Sequence, residues 1–257
     1  MMMKAKLFIS LMMVSVAGAF AGGLAPAELE SVGRKVWQNE CAGTRDGLTS
    51  WNEGEAFASL GIGHFIWYPA GAKGPFEESF PHLVRFLGGR GVTLPEWLRG
   101  ASACPWKTKA EFQRDFKGAR MEQLRELLAT TVALQSEFLA QRMREALPKM
   151  LAETSPAARA KVRANFDRLA QSGAGTFALI DYVNFKGEGT SPTERYQGQG
   201  WGLLAVLEQM AEKGDPVTAF SKSASEVLAR RVRNAPPERR EERWLPGWQA
   251  RVKRYVP

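Results

Sequence analysis

The chain is expected to fold as an α+β domain that is mainly α, with one small antiparallel β-hairpin sheet near its N-terminus. Two patterns point there. Apolar residues recur at helical spacing from Lys109 onward, and residues 57–68 are rich in strand formers broken by glycine. The size and composition agree. At 257 residues, 44% apolar and 24% charged, the chain can bury a sizeable core, which excludes a disordered polymer.

Residues 1–21 stand apart from the fold. Lys4 and Lys6 form a basic start, Leu7 to Val16 is an apolar run, and Ala19-Phe20-Ala21 supplies small residues for cleavage. This is the pattern of a signal peptide and predicts export, periplasmic or secreted. The next segment, 26–39, reads as a helix opened by Pro26, with Leu29, Val32, Val36 and Trp37 on one face and a stop near Cys41-Ala42-Gly43. Leu48 to Trp51 suits a short strand, residues 52–55 a turn, and Phe57 to Tyr68 a hairpin or three-stranded sheet. Residues 69–107, rich in Pro, Gly and aromatics, read as loop with short helical pieces. Phe112 to Leu147 fits one or two long amphipathic helices closed near Pro148. Pro156 begins another. Phe177 to Phe185, Trp201 to Met210, Pro216 to Val232 and Pro246 to Tyr255 supply four more, with a loop over 187–200. No internal repeat or flexible linker interrupts them.

Chemistry is expected around Glu40. A carboxyl at a helix end beside Trp37 or Trp51 can be partly desolvated, which favours its neutral, proton-donating form. Glu53, Glu55 and Ser59 follow, and in an extended chain positions 53, 55, 57 and 59 project to one face. A helix-end acid opposite a second carboxylate and a hydroxyl is a workable arrangement for glycoside hydrolysis. One carboxyl protonates the leaving oxygen, and the other stabilises an oxocarbenium-like state or activates water.

The stretch Ser59-Leu60-Gly61-Ile62-Gly63-His64 resembles the hydroxyl-x-Gly-Ile-Gly-His hairpin of phage-type lysozymes, which follows their catalytic Glu at a helix end. The resemblance makes Glu40 the general acid and places Ser59 where that family has Thr. Counting back from Ser59, the family's Asp falls on Glu53; counting forward from Glu40, it falls on Thr49, which cannot serve. Glu55 is an equal candidate for the second carboxylate and Asp46 a third. Farther on, Asn184-Phe185-Lys186-Gly187-Glu188-Gly189 is similar to the segment that closes the family's helical lobe. The resemblance thus implies a two-lobed lysozyme-like domain over 22–257, with residues 22–107 as small lobe and 108–257 as helical lobe. It implies a monomeric glycoside hydrolase that cleaves β-1,4 bonds in peptidoglycan glycan strands without cofactor or metal. Gly61, His64, Trp51, Trp67, Tyr68 and Asn184 would line its substrate site. Whether cleavage is hydrolytic or lytic stays open.

Charge fits that substrate. Without residues 1–21 there are 33 basic and 27 acidic residues, and the whole excess lies in 230–257, with nine basic and three acidic side chains. A basic surface is drawn to anionic envelope polymers, and export argues against nucleic acid. The same stripe also suits a plain solvated helix face. Trp51, Phe65, Trp67, Tyr68 and Trp201 suit either sugar stacking or core packing. His64 reads as a structural pin of the hairpin, and His82 as an ordinary loop residue. Cys41 and Cys104, the only cysteines, could form a disulfide or stay apart. Two other functions remain: a Cys41–His64 or Cys41–His82 amidase or peptidase on the same polymer, and a non-catalytic wall-binding protein on a lysozyme-like scaffold.

Overall fold

The computed structural model describes residues 24–74, 76–192 and 194–257, so the 1–21 leader expectation lies outside the described residues. Helix α1 (Pro26–Cys41) comes first, then a 3-10 turn (Asp46–Leu48) and a three-stranded antiparallel sheet. Its strands are β1 (Thr49–Ser50), β2 (Ala58–Leu60) and β3 (Phe65–Trp67), in sequential order. Ser50 pairs with Ser59, and Ser59 with Ile66, so these three side chains share a face.

Helices α2 (Phe80–Gly89) and α3 (Glu96–Arg99) are helical pieces within the stretch expected to be loop with short helices. His82 is therefore an exposed helical residue rather than a loop residue. Next come α4 (Lys109–Arg114), α5 (Ala119–Thr130) and the long α6 (Val132–Glu153). The expected stop at Pro148 is wrong, because α6 runs through it. Pro148 removes one backbone donor, but Leu147, Met150 and Leu151 are buried on either side, and that packing carries the helix on.

Four further helices are α7 (Pro156–Ala170), α8 (Gly173–Lys186), α9 (Leu203–Gln209) and α10 (Pro216–Asn234). The expected loop 187–200 contains a two-stranded hairpin, β4 (Arg195–Tyr196) and β5 (Gln199–Gly200). Its two turn residues, Gln197 and Gly198, both have positive φ, the geometry that matches strand twist. Two 3-10 turns (Pro237–Arg239 and Glu241–Trp244) lead into α11 (Leu245–Lys253). The fold is thus mainly helical with two small antiparallel sheets. None of the described helices is long and apolar enough to cross a membrane.

One continuous apolar cluster runs from Val32 to Tyr255. Helix α1 packs on α6 and α8, so its C-terminal end is held among the helices while the sheet folds back over it. Gly33 makes the α1–α6 approach possible: a Cβ there would lie 2.7 Å from Val132 Cγ1. The tip of the β2–β3 hairpin docks on α6. Buried Gln135 accepts from Ile62 N–H (3.0 Å) and donates to Leu128 O (2.6 Å) and Thr131 Oγ1 (3.1 Å). Gly61 must be glycine here. Its φ is +72°, and a Cβ would stand 2.5 Å from Gln135 Oε1.

Candidate active site

Helix α1 ends in a left-handed cap, with Ala42 and Gly43 at positive φ and Gly43 N–H returning to Trp37 O at 3.2 Å. This stop leaves Glu40 in the last turn with a side chain only 17% exposed. A carboxylate at a helix C-terminus faces the negative end of the helix dipole and requires a compensating cation. Arg251 of α11 supplies it, with Nη2 at 2.5 Å from Glu40 Oε1.

Arg251 is itself held by Asp181 of α8. Its Nε donates to Oδ2 at 2.9 Å and its Nη2 to Oδ1 at 2.8 Å. Asp181 is fully buried and accepts two more bonds, from Asn39 Nδ2 (2.9 Å) and Tyr255 Oη (2.7 Å). Burial works against the Arg251 charge, but Asp181 and Glu40 outweigh it and hold its pKa above the ordinary value. Burial and the Asp181 charge together raise that of Tyr255. Glu40 is therefore fastened to two distant helices through one guanidinium.

From the other side comes His64, at the end of the Gly61–His64 turn with φ +47°. Its Nδ1 lies 3.9 Å from Glu40 Oε2, and its Nε2 lies 3.6 Å from Cys41 Sγ. Burial lowers the His64 pKa below 6.5, against the opposing pull of the Glu40 and Glu55 charges. Both acids thus act on this imidazole. The structure brings Glu40 and His64 within 4 Å of each other.

The remaining candidates separate clearly. Glu53 points outward with a side chain 95% exposed and pairs with Lys109, which lowers its pKa. Glu55 accepts from Asn52 Nδ2 at 3.0 Å, and its backbone carbonyl accepts from Trp51 Nε1 at 2.8 Å. Asp46 is exposed and lies 3.5 Å from Arg125 Nη1. Thr49 is buried and accepts from Arg125 Nε at 2.9 Å. Ser59 is covered, at 3% exposure, within the central strand. Gly61 shapes the turn. Asn184 is exposed on α8, one turn beyond Asp181.

Of the two roles open to the aromatic residues, the structure shows core packing. Trp51, Phe65, Trp67, Tyr68 and Trp201 are all buried. Trp51 packs edge-on to Phe112, Trp67 lies against Phe80, and Tyr68 against Phe57. Phe65 and Trp67 lie on the fully buried face of the short sheet, and Ser50 and Ile66 on the other are only half-buried.

The cysteines stay apart, and both are free and buried. The Cys41 thiol donates to Gly61 O at 3.5 Å, under the hairpin tip. Cys104 sits by the exit of β3, where its N–H donates to Tyr68 O at 2.9 Å. Burial first, and neighbouring carboxylates second, push both thiols up to about 12, despite a Trp106 N–H that lowers Cys104. Among the described residues, no group of three or more His, Cys, Asp and Glu side chains is arranged to hold a metal ion.

Sequence reasoning missed Asp181, Arg251 and Tyr255 as parts of this site. Asp181 carried a faint signal as the sole charge in the apolar run 174–185. Arg251 carried none, lying 211 positions from its partner Glu40.

No protein-family model matches this chain, and no curated protein or solved structure is significantly similar to it.

Proposed function

We propose that the protein is an exported peptidoglycan glycoside hydrolase with a lysozyme-like fold, acting as a monomer on β-1,4 bonds between amino sugars. The observation that supports this most is the placement of Glu40. Its half-buried carboxyl lies at a helix end between Arg251 and the His64 that closes a Ser-Leu-Gly-Ile-Gly-His hairpin. In this reading Glu40 protonates the glycosidic oxygen. Arg251 holds Oε1, so the proton to be delivered is first taken up from solvent on Oε2, the oxygen that lies 3.9 Å from His64 Nδ1.

Glu55 is the better second carboxylate, because Glu53 is exposed and spent on Lys109. Ser59 is too well covered to order a water at the substrate and is read as a hairpin residue. The test is release of new reducing ends or anhydro sugars from purified sacculi. Glu40→Gln is expected to fold normally and lose about 10²–10⁴-fold in turnover. Glu55→Gln is expected to lose most activity and Glu53→Gln almost none. Undiminished cleavage by Glu40→Gln would refute the assignment. Sacculus binding without any cleavage by the unaltered chain would favour the wall-binding alternative.

The Cys41···His64 contact at 3.6 Å supports a second reading, a thiol-dependent amidase. The thiol's burial, its bond to Gly61 O and its raised pKa weigh against it, since the thiolate is the nucleophile. Cys41→Ala separates the two. A glycosidase keeps its activity, and an amidase loses all of it.

A further inference from the structure

A cleft lies at the far end of α6, where that helix meets the β4–β5 hairpin, α9 and α10. Its volume is about 310 Å³, at the small end for ligand pockets. It stands well away from Glu40. Leu139 of α6 approaches Gly63 at the tip of the β2–β3 hairpin. Glu153, which lines the cleft, follows about four turns later on the same helix, roughly 20 Å farther along its axis.

Charge of both signs lines this cleft without closing on itself. Arg195 of β4 and Arg230 of α10 border it, and so do Glu153 of α6 and Glu208 of α9. Arg230 is held by neutral groups alone: Nη1 donates to Gln209 Oε1 at 2.8 Å and Nη2 to Gly200 O at 3.4 Å. Among the described residues, the side chains of Arg195, Glu153 and Glu208 form no ion pair and no hydrogen bond. The cations still act on Glu208. Burial raises its pKa, and Arg195, Arg230 and Lys161 of α7 oppose that shift without reversing it. Two guanidiniums and two carboxylates thus share one cleft, held apart by its walls. A ligand that carries one charge of each sign satisfies both walls at once.

Gly200 of β5 keeps the space clear. A Cβ there would stand 4.0 Å from Arg195 Cγ and 3.9 Å from Ala205 Cβ, so a longer side chain would fill the gap between hairpin and α9. Its φ is not positive, so a side chain can be placed there without backbone strain.

We propose that this cleft binds a small zwitterion, an α-amino acid or dipeptide with both termini free, its carboxylate on Arg195 and Arg230 and its ammonium on Glu208 and Glu153. The proposal goes beyond the hydrolase reading and does not rest on it. A guanidinium donates to a carboxylate through its fixed fork of N–H groups, and a carboxylate accepts from an ammonium. A simple anion would satisfy the guanidiniums and be repelled by two carboxylates, and a simple cation would meet the converse. The small volume suits a ligand of this size and not a polymer strand.

The experiment is an NMR titration of the nitrogen-15-labelled full chain at neutral pH with three probes: alanyl-alanine, its N-acetyl form and its C-terminal amide. Alanyl-alanine is expected to shift the backbone amide signals of Gly198, Gly200 and Ala205. It is expected to bind about tenfold tighter than either blocked form, since each of those loses one charge-assisted contact. Arg195 and Glu208 are exposed, so replacing them leaves the fold in place. Arg195→Gln weakens alanyl-alanine about tenfold and leaves the amide unchanged. Glu208→Gln weakens it by a similar factor and leaves the N-acetyl form unchanged. Gly200→Leu plugs the cleft and removes binding of all three.

The absence of shifts at those amides, a blocked form that binds as tightly as alanyl-alanine, or a preference that survives both Arg195→Gln and Glu208→Gln overturns the proposal. So does undiminished binding by a Gly200→Leu chain that melts as the unaltered chain does. If that variant unfolds, the two charge variants decide the matter alone.

Discussion

The β2–β3 hairpin and the segment from Arg240 to Tyr255 meet at Glu40, yet they hide opposite things. The hairpin buries its aromatic residues: Phe65 and Trp67 are each 1% exposed. The C-terminal segment buries charge instead. The Glu241 side chain is fully covered and that of Arg251 is 20% exposed, while Trp244 stands open. Residue type alone therefore says little about position. A ring on the core-facing side of a strand has no outlet. A turn and short helix laid over other helices can satisfy buried charges with partners and leave an indole outside. The first region is held by shape, the second by ion pairs.

That contrast can be broken by experiment. The largest effect is expected in the charged region. Asp181→Ala removes the acceptor of bonds from Asn39, Arg251 and Tyr255 and leaves a guanidinium half-paired. Urea unfolding should show a loss of about 3–5 kcal/mol. A loss under about 1 kcal/mol would mean that the C-terminal segment does not depend on its buried charges.

The shape-held region is expected to give a smaller change. Gly61→Ala puts a Cβ at positive φ, 2.5 Å from Gln135 Oε1, and should cost about 2–3 kcal/mol in the same assay. If this variant proves the less stable of the two, the ranking of shape below charge is wrong.

The smallest effect links the two regions through His64. Its folded pKa is depressed by burial, so the unfolded chain takes up the proton first as pH falls below 6.5. Stability should therefore decline on acidification below that value, by a fraction of about 1.4 kcal/mol per pH unit. His64→Gln should flatten that part of the melting-temperature profile. An unchanged slope in the variant would show that other groups carry it.

Much of the architecture was legible because its causes are local. The spacing of Leu29, Val32 and Val36 declares α1, and Ala42-Gly43 declares its end. Gly61 to His64 declares a tight hairpin, and Glu40 falls at the helix terminus where it was sought. Pro148 misled because a proline's lost hydrogen bond is weaker than the packing of Met150 and Leu151 around it. The β4–β5 hairpin escaped because its strands have two residues each, too few for a period. Trp51, Trp67 and Tyr68 pointed to sugar because nothing nearby in the chain reveals that Phe112, Phe80 and Phe57 cover them. The excess charge of 230–257 pointed to a solvated stripe, whereas Arg231 and Arg251 turn inward to carboxylates on other elements.

The anchoring of Glu40 by α11 also sets an order of events during biosynthesis. Arg251 and Tyr255 leave the ribosome after Asn39, Glu40, His64 and Asp181, so a nascent or trimmed chain presents these groups with their latch missing. Glu40 and Asp181 therefore stay without their shared guanidinium until α11 docks on them.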